Sequence, residues 1–272
     1  MKTSAERDFG GSIPEYYDRY MAPVQFDPFA ADLVRRLPPR PPGDVLEMAC
    51  GTGALTRRLR KRLDPAVRLV ATDLSKAMLD YASNKLREVG GIEWREADAG
   101  NLPFPDESFG AVVCAFGIMF VPDKPSAFRQ MRRVLREGGL VVFNVWDSID
   151  ENPHARANDE VIRALFPGDP EMQLARIPHG FHDQRQIRAL LAEANFQELR
   201  IETVKLEIQS PSVRAFATGL IRGSPRAWLL QQRGVSLDEV IQRLAIALAR
   251  IGGDEPFRCP AQAVVVEARV SA

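Results

Sequence analysis

Cysteine and histidine are scarce in this sequence. Only three of its 272 residues are cysteine and only three are histidine. The cysteines lie far apart at Cys50, Cys114 and Cys259, and no His-rich cluster has metal-ligand spacing. Because disulfide frameworks and zinc sites show regular spacings of these residues, we predict neither, and we expect no bound metal.

An excess of one charge and long apolar runs are also missing. The 36 Lys and Arg residues balance the 36 Asp and Glu residues, so the formal net charge is zero. A neutral chain has no global field to attract a polyanion, and we expect no nucleic-acid partner. No apolar run is long enough to span a membrane, and residues 1–8 lack an apolar signal core. We expect a cytoplasmic protein without a membrane partner, and a homo-oligomer is compatible with the sequence.

The sequence does contain strand-like segments that alternate with helix-like segments. Five apolar runs have the length of buried strands: residues 45–48, 67–71, 92–95, 109–115 and 140–145. Three segments between them carry apolar side chains at helical spacing: residues 54–63, 75–86 and 126–136. Buried strands that alternate with amphipathic helices are typical of a parallel sheet covered on both faces. The pattern therefore predicts an α/β, doubly wound fold.

The chain departs from this alternation on both sides. Before residue 44, the proline-rich run 38–43 ends a helix-like segment at residues 29–37. After residue 146, the stretch 150–182 looks irregular and partly helical. Beyond it we predict a helix, a strand, a helical stretch and a last strand, in that order: residues 183–194, 198–208, 211–251 and 263–270.

A glycine turn follows the first predicted strand. Gly51 and Gly53 lie where that strand ends and a helix begins, and glycine there allows a positive φ and a close approach of a ligand to the backbone. The dinucleotide fingerprint requires a third glycine where Thr56 stands, so a dinucleotide is disfavoured. S-adenosylmethionine is the alternative, because Glu47 suits its ammonium and it has no phosphate. A purely structural turn is the third interpretation.

Two aspartates follow the next two strands. Asp73 lies 20 residues after Gly53, where a carboxylate accepts hydrogen bonds from the ribose of either ligand. Asp98 follows the third strand, where a carboxylate accepts from an adenine amino group, and this favours S-adenosylmethionine. The alternatives are structural, with Asp73 as the cap of the next helix and Asp98 as a turn residue before Gly100.

Four motifs in this order resemble class I S-adenosylmethionine-dependent methyltransferases, in particular the ubiquinone- and menaquinone-biosynthesis type and its small-molecule relatives. They are VLEMACGTG at 45–53, ATDLSKAML at 71–79, DAGNLPFPDESF at 98–109 and RVLREGGL at 133–140. The resemblance implies a seven-stranded Rossmann-like sheet in the order 3-2-1-4-5-7-6 with the last strand antiparallel. It also implies four regions: an N-terminal helical lid at 1–43, a cofactor-binding core at 44–146, a substrate cap at 147–182, and a completion of the sheet at 183–272 with a helical insertion at 211–251.

The resemblance further implies the cofactor site. The expected cofactor-binding residues are Glu47, Ala49, Cys50, Gly51, Gly53, Asp73, Leu74, Met78, Asp98, Ala99 and Phe116. Among them Asp73 would hold the ribose, Leu74 and Met78 would sandwich the adenine, and Asp98 and the Ala99 amide would read the adenine edge. Ala49 stands where the family more often has glycine, and we expect only a minor adjustment there.

Aromatic residues are the candidates for positioning the reactants. Phe116 would lie between cofactor and substrate, and Tyr17 or Tyr20 of the predicted lid would contact one of them, since π faces favour a sulfonium. Alternatively, these tyrosines pin a surface helix by packing. The predicted cap contains all three histidines: His154, His179 and His182. One of them would act as a base. Alternatively, all three are loop residues with structural hydrogen bonds.

Methyl transfer from a sulfonium is an in-line displacement, in which the protein mainly holds the nucleophile, the methyl carbon and the sulfur in line. We therefore expect methyl transfer from S-adenosyl-L-methionine to a small-molecule acceptor, with S-adenosyl-L-homocysteine as the product. The alternatives are a non-catalytic S-adenosylmethionine-binding regulator or scaffold, and a nicotinamide-dependent oxidoreductase. An open cavity lined by Phe116, Met119 and the tyrosines would favour the enzyme.

Overall fold

A computed structural model of the chain describes residues 10–172 and 176–271. Residues 1–9 of the predicted lid, residues 173–175 of the predicted cap and residue 272 lie outside this description.

Seven strands form one mixed sheet in the order β3-β2-β1-β4-β5-β7-β6. Their bounds are β1 Val45–Met48, β2 Leu69–Asp73, β3 Ile92–Glu96, β4 Phe109–Ala115, β5 Leu135–Trp146, β6 Gln197–Ser210 and β7 Phe257–Arg269. The first five strands pair in parallel, whereas β7 is antiparallel to both of its neighbours. The predicted α/β class, strand order and antiparallel last strand are confirmed.

Burial explains why the inner strands could be predicted. All four residues of β1 are buried, as are the first six of β4, because helices cover both faces of the sheet there. The carboxyl ends of β1, β2 and β4 lie side by side at one edge of the sheet, as their parallel register requires. In sheets of this kind ligands bind at that edge, so the fold brings the turn after β1 next to the residues that follow β2 and β4.

Helices connect and cover these strands. Their bounds are α1 Ile13–Tyr16, α2 Asp27–Arg35, α3 Ala54–Arg62, α4 Lys76–Lys85, α5 Lys124–Val134, α6 Pro153–Leu165, α7 Arg176–His179, α8 Gln184–Glu193, α9 Val213–Arg222, α10 Arg226–Gln232 and α11 Leu237–Gly252. Three short 3₁₀ segments lie at Ile118–Phe120, Ile149–Glu151 and Pro170–Met172. In the described ranges no helix combines the length and apolar composition that crossing a bilayer needs.

One boundary differs from the expectation. The helix predicted to reach residue 136 ends at Val134, and β5 begins immediately with a register shift before Leu140, where Gly138 has a φ of 68°.

The stretch 150–182, expected to be irregular and partly helical, contains helix α6. Four residues of α6 are buried at helical spacing, and two of them are polar, so the apolar period alone does not give its bounds: His154, Ala157, Asn158 and Ile162.

A π-helix at Tyr17–Phe26 precedes α2, and its wide turns were not predicted from the sequence. It packs against α9 at very short backbone separation. A Cβ atom added at Gly219 would lie 2.7 Å from the Tyr20 Cβ, and one at Gly223 would lie 2.8 Å from the Tyr17 backbone nitrogen. Glycine within α9 and directly after it therefore allows the contact between the N-terminal segment and the C-terminal helices.

Candidate cofactor and substrate site

The turn between β1 and α3 uses left-handed backbone at three positions. The φ angles of Ala49, Gly51 and Gly53 are 53°, 54° and 79°. No side chain caps the start of α3, where Gly53 is the residue before the helix, so its first N–H groups are available to a ligand. Cys50 anchors the turn, because its amide donates to the Thr72 carbonyl at 2.9 Å.

Asp73 joins the glycine turn to the end of β2. Its Oδ2 accepts the Gly51 amide at 2.8 Å and its Oδ1 accepts the Ser75 amide at 2.8 Å. Helix α4 is capped by Ser75, whose hydroxyl accepts the Met78 amide. The alternative role of Asp73 as the cap of this helix is therefore wrong. Burial raises the pKa of the Asp73 carboxyl, against these hydrogen bonds.

Glu47 is buried beneath the turn, with 1% of its surface exposed. Among the described residues, its Oε2 and the hydroxyls of Thr52 and Thr56 have no hydrogen-bond partner. Burial, reinforced by the charge of Asp73, raises the pKa of the Glu47 carboxyl to about 8. Thr56 acts against this rise in pKa, but the second oxygen of the buried carboxyl stays without a hydrogen bond. An unpartnered buried oxygen is costly, and it fits a site that a positively charged group completes.

A small pocket opens to solvent at this turn. It is lined by Tyr17, Phe26, Ala30, Glu47, Ala49, Cys50, Gly51, Thr52, Ala54, Leu55 and Ala115. The cavity thus reaches from the glycine turn to the N-terminal helices. Of the residues expected to line an open acceptor cavity, only Tyr17 does so, because Phe116 and Met119 are buried in packing, with 4% and 3% of their surfaces exposed.

The structure separates the two candidate tyrosines. The Tyr17 hydroxyl lies near Gly51, and burial together with the charge of Asp73 raises the pKa of the Tyr17 phenol far above its usual range. The Tyr17 ring stacks on Phe26 with centroids 5.1 Å apart. Tyr20 instead stacks on Tyr16 and packs against α9, as the interpretation of a helix pinned by aromatic packing anticipated.

Phe116 anchors an aromatic wall beyond β4. Its ring stacks on Trp146 with centroids 4.1 Å apart, and it touches Phe26 and Phe29. The backbone of Phe116 is left-handed, with a φ of 53°, and is held by the Asn144 side chain, whose Oδ1 accepts its amide at 2.9 Å. Sequence reasoning missed Asn144 and Trp146, although a polar residue inside the apolar run of β5 is a signal for the first.

The adenine-side candidates are less enclosed. Met78 is buried on α4, whereas Leu74 is half-buried. Asp98 is exposed and its Oδ1 accepts the Gly100 amide at 2.8 Å, which is the turn role given as its alternative. Ala99 packs on the main core. These residues follow β2 and β3 and therefore share the ligand edge with the glycine turn.

The three predicted cap histidines have different surroundings. The Nδ1 atom of His179 lies 2.8 Å from the Asp147 carbonyl, and that of His182 lies 2.7 Å from the His179 carbonyl, which are structural hydrogen bonds. His154 is buried, and neither of its ring nitrogens has a partner among the described residues. Burial lowers the pKa of His154 to about 3 and that of His179 as well, so both are neutral at pH 7. In the described ranges no three His, Cys, Asp or Glu side chains form a cluster that could hold a metal ion.

Ala49 has a left-handed backbone conformation, which residues with a Cβ atom disfavour. Its methyl group occupies space that is free because Gly117 has no side chain. A Cβ at Gly117 would lie 2.3 Å from the Ala49 Cβ and 2.8 Å from the Cys114 Sγ. The alanine that replaces the family's more common glycine is thus accommodated by the missing side chain of Gly117.

We expect Gly117→Ala to lower the free energy of unfolding by about 3 kcal/mol, because the added methyl group would overlap the Ala49 Cβ, which cannot rotate away, and the Cys114 Sγ. Ala49→Gly relieves left-handed strain and should raise it by about 0.5–1 kcal/mol. In the double variant the cost of Gly117→Ala should shrink by at least about 1 kcal/mol. Urea unfolding measures all three, with Gly90→Ala as the control, since a Cβ there meets nothing within 4 Å. Additive effects would contradict the contact.

The strand order, the antiparallel β7 and the glycine turn bounded by two carboxylates define a Rossmann-like fold of the class I methyltransferase type. Residues 45–139 match the protein family described as a methyltransferase domain. This match agrees with the resemblance to class I, S-adenosylmethionine-dependent methyltransferases inferred from the four motifs, which span nearly the same residues.

Similarity to whole proteins extends beyond this domain. The ubiquinone/menaquinone biosynthesis C-methyltransferase UbiE of Pseudomonas aeruginosa is 33% identical over an alignment of 167 residues that covers 57% of this chain and 65% of the relative. The match thus spans slightly less than two thirds of that protein. Phosphoethanolamine N-methyltransferase 2 of Haemonchus contortus, solved with S-adenosyl-L-methionine, has a TM-score of 0.60 at 15% identity over 95% of this chain and 57% of that one.

A protein described by another reaction has a similar fold. The [4+2]-cyclase SpnF has a TM-score of 0.58 at 18% identity, over 90% of this chain and 82% of that one. The same architecture therefore supports a protein described by a different reaction, and function has to be argued from the site.

Proposed function

We propose that this protein transfers a methyl group from S-adenosylmethionine to a small-molecule acceptor. The observation that carries the proposal is Glu47, a buried carboxyl with an unpartnered oxygen at the glycine turn. An ammonium group would donate a hydrogen bond to this oxygen and balance its charge, and the methionine part of S-adenosylmethionine carries one. The similarity of the matched domain to UbiE supports the same activity.

The residues that follow the first three strands would hold the cofactor. Glu47 and the turn from Ala49 to Gly53, including Cys50, would bind the methionine part, and Asp73 would accept from the ribose hydroxyls with lone pairs that its two amide partners leave free. Leu74, Met78, Asp98 and Ala99 would enclose the adenine. When bound, the cofactor supplies an electrophilic methyl group on a sulfonium.

This chain's own contribution is positioning. Tyr17 and Phe26 bring aromatic faces to the turn from the N-terminal side, and Phe116 is fixed by Asn144 and Trp146 on the other side. The raised pKa of Tyr17 and the lowered pKa of His154 make both poor bases at neutral pH. The arrangement therefore suits a nucleophile that needs little help in losing a proton, held in line by packing.

The regional roles stay predictions: residues 1–43 as the lid, 44–146 as the core, 147–182 as the cap, and 183–272 as the completion with the insertion 211–251. A cytoplasmic location, the absence of a nucleic-acid partner and the state of assembly are likewise predictions from the sequence. A non-methylating reaction on the same fold is the second candidate, since the cyclase SpnF shares the architecture.

Calorimetry with S-adenosylhomocysteine tests the first half of the proposal. We expect saturable binding with one site per chain and a dissociation constant of about 1–100 μM, because product cofactor and protein meet through one preformed turn. A screen of metabolite mixtures with methyl-labelled S-adenosylmethionine tests the second half, with boiled protein as the control. Binding without label transfer to any acceptor would favour the second candidate, and no binding would remove the proposal.

A further inference from the structure

A second group of polar side chains, three of them buried and one partly exposed, includes two histidines that contact Trp146. His154 and Asn158 are one turn apart on the buried face of α6, His179 ends α7, and Arg226 begins α10. The exposed fractions of His154, Asn158 and His179 are 1%, 5% and 8%. None of these residues belongs to the four motifs or to the cofactor turn.

Three of these side chains carry buried atoms that lack the partners buried polar atoms almost always have. Both ring nitrogens of His154, the Oδ1 of Asn158 and the Nε of Arg226 are buried without a hydrogen bond to any residue in the described ranges. A single such atom is commonly satisfied by a water molecule. His179 lies close enough to both His154 and Arg226 for their charges to interact, so the four unpartnered atoms indicate one place that a polar ligand completes.

The group is connected to the transfer site through one indole ring. Trp146 stacks on Phe116 at a centroid distance of 4.1 Å. The same ring lies 6.0 Å from the His154 ring and 6.2 Å from the His179 ring. Trp146 therefore contacts both the aromatic wall at Phe116 and the two histidines, so a molecule bound at the polar group would be separated from that wall by a single ring.

The charge in this group is positive. Burial lowers the pKa of Arg226 to about 10, so the guanidinium stays protonated at neutral pH, whereas His154 is neutral. Asp159 acts on Arg226 from a distance, but among residues 10–172 and 176–271 no carboxylate lies within 4.0 Å of its guanidinium. A partly exposed cation that has a buried, unpartnered Nε and no ion-pair partner in the described ranges favours an anionic ligand.

We infer that this group binds the methyl acceptor, and that the acceptor is an aromatic or apolar small molecule bearing a carboxylate. Arg226 and a protonated His154 nitrogen would donate to the carboxylate oxygens, and the Asn158 carbonyl oxygen would accept from a neighbouring hydroxyl. The inference rests on the proposed function, because it describes the acceptor side of the same site.

Ligand-observed NMR on the full chain saturated with S-adenosylhomocysteine tests this, with benzoate and the neutral benzamide as probes. We expect the wild type to bind benzoate at least about tenfold more tightly than benzamide. Arg226→Gln should remove this preference. Arg214→Gln removes the same charge from an exposed position of α9 and should keep it.

His154→Phe separates a binding role from a structural one. It keeps a ring against Trp146 and Phe216 and removes two unpartnered nitrogens, so we expect the melting temperature to rise by about 2–4 °C. Benzoate binding should nevertheless weaken about tenfold. A higher melting temperature with unchanged benzoate binding would mean that the group is only structural and would overturn the inference.

Equal affinity for benzoate and benzamide in the wild type, a preference that survives Arg226→Gln, or no saturable binding of either probe would also overturn it. The proposed function fails on a different observation. Wild-type protein that does not bind S-adenosylhomocysteine contradicts the cofactor site, whereas protein that binds it and ignores the charge of the probe contradicts only the acceptor inference.

Discussion

Replacing Asp73 with alanine is expected to weaken binding of S-adenosylhomocysteine by a factor of about a hundred or more. The carboxylate would lose its hydrogen bonds to the ribose, each of which is charge-assisted. It would also release the amides of Gly51 and Ser75, both now held at 2.8 Å, so the glycine turn would lose its tie to β2. Calorimetry on folded protein measures the change directly.

Asp80→Ala is the matched control. Asp80 lies on the next helix, α4, is exposed and pairs with Lys76 at 2.6 Å, so its removal takes away one carboxylate without touching the turn. Its affinity for S-adenosylhomocysteine should stay within about threefold of the wild type. Asp73→Asn keeps an acceptor oxygen for one amide, so its affinity for S-adenosylhomocysteine should lie between those of Asp73→Ala and Asp80→Ala. Wild-type affinity in Asp73→Ala would contradict the ribose assignment.

Replacing Glu47 with glutamine should act in opposite directions on stability and on binding. The pKa of this carboxyl is about 8 in the folded chain against 4.5 as a free group, so folding favours its protonated form. Its contribution to stability is present in full below about pH 4.5 and is lost as the pH rises toward 8. At pH 7 the unfolded wild type is stabilised by ionisation of Glu47, which lowers the free energy of unfolding by about 3 kcal/mol. Glutamine does not ionise, so the variant does not lose this stability.

The measurement is urea unfolding of wild type and Glu47→Gln from pH 5 to pH 8. The stability difference should grow with pH in favour of glutamine, while calorimetry shows binding of S-adenosylhomocysteine weakened about tenfold or more. Comparing the two proteins removes the acid-side effect of His154, whose lowered pKa reduces the stability of both below about pH 6.5. A difference that does not change with pH would mean that Glu47 is ionised in the free protein.

The core of the fold could be predicted from the sequence because its strands are buried on both faces and therefore read as apolar runs. The glycine turn, Asp73 and Asp98 could be placed because each comes directly after such a strand. The boundary between α5 and β5 could not, since the chain passes from helix to strand without an intervening loop. The stretch 150–182 was expected to be partly helical, but the bounds of α6 could not be predicted because its buried positions His154 and Asn158 are polar.

The acceptor side was less predictable than the cofactor side for a physical reason. Contacts such as those of Trp146 with Phe116 and His154 join residues far apart in sequence, and no local pattern specifies them. The left-handed backbone of Ala49 depends in the same way on the distant Gly117. Local spacing predicts which residues lie at the end of a strand, whereas these contacts depend on how separate segments pack.

The close approach of α9 to the π-helix has a consequence for exchanging parts between related proteins. Gly219 and Gly223 fit only a partner backbone that passes at the position of Tyr17 and Tyr20. A chimaera that received either segment alone would meet a surface shaped for another partner and would lose its packing. Acceptor preference is therefore expected to be transferable only when both segments move together, while the cofactor half between them stays unchanged.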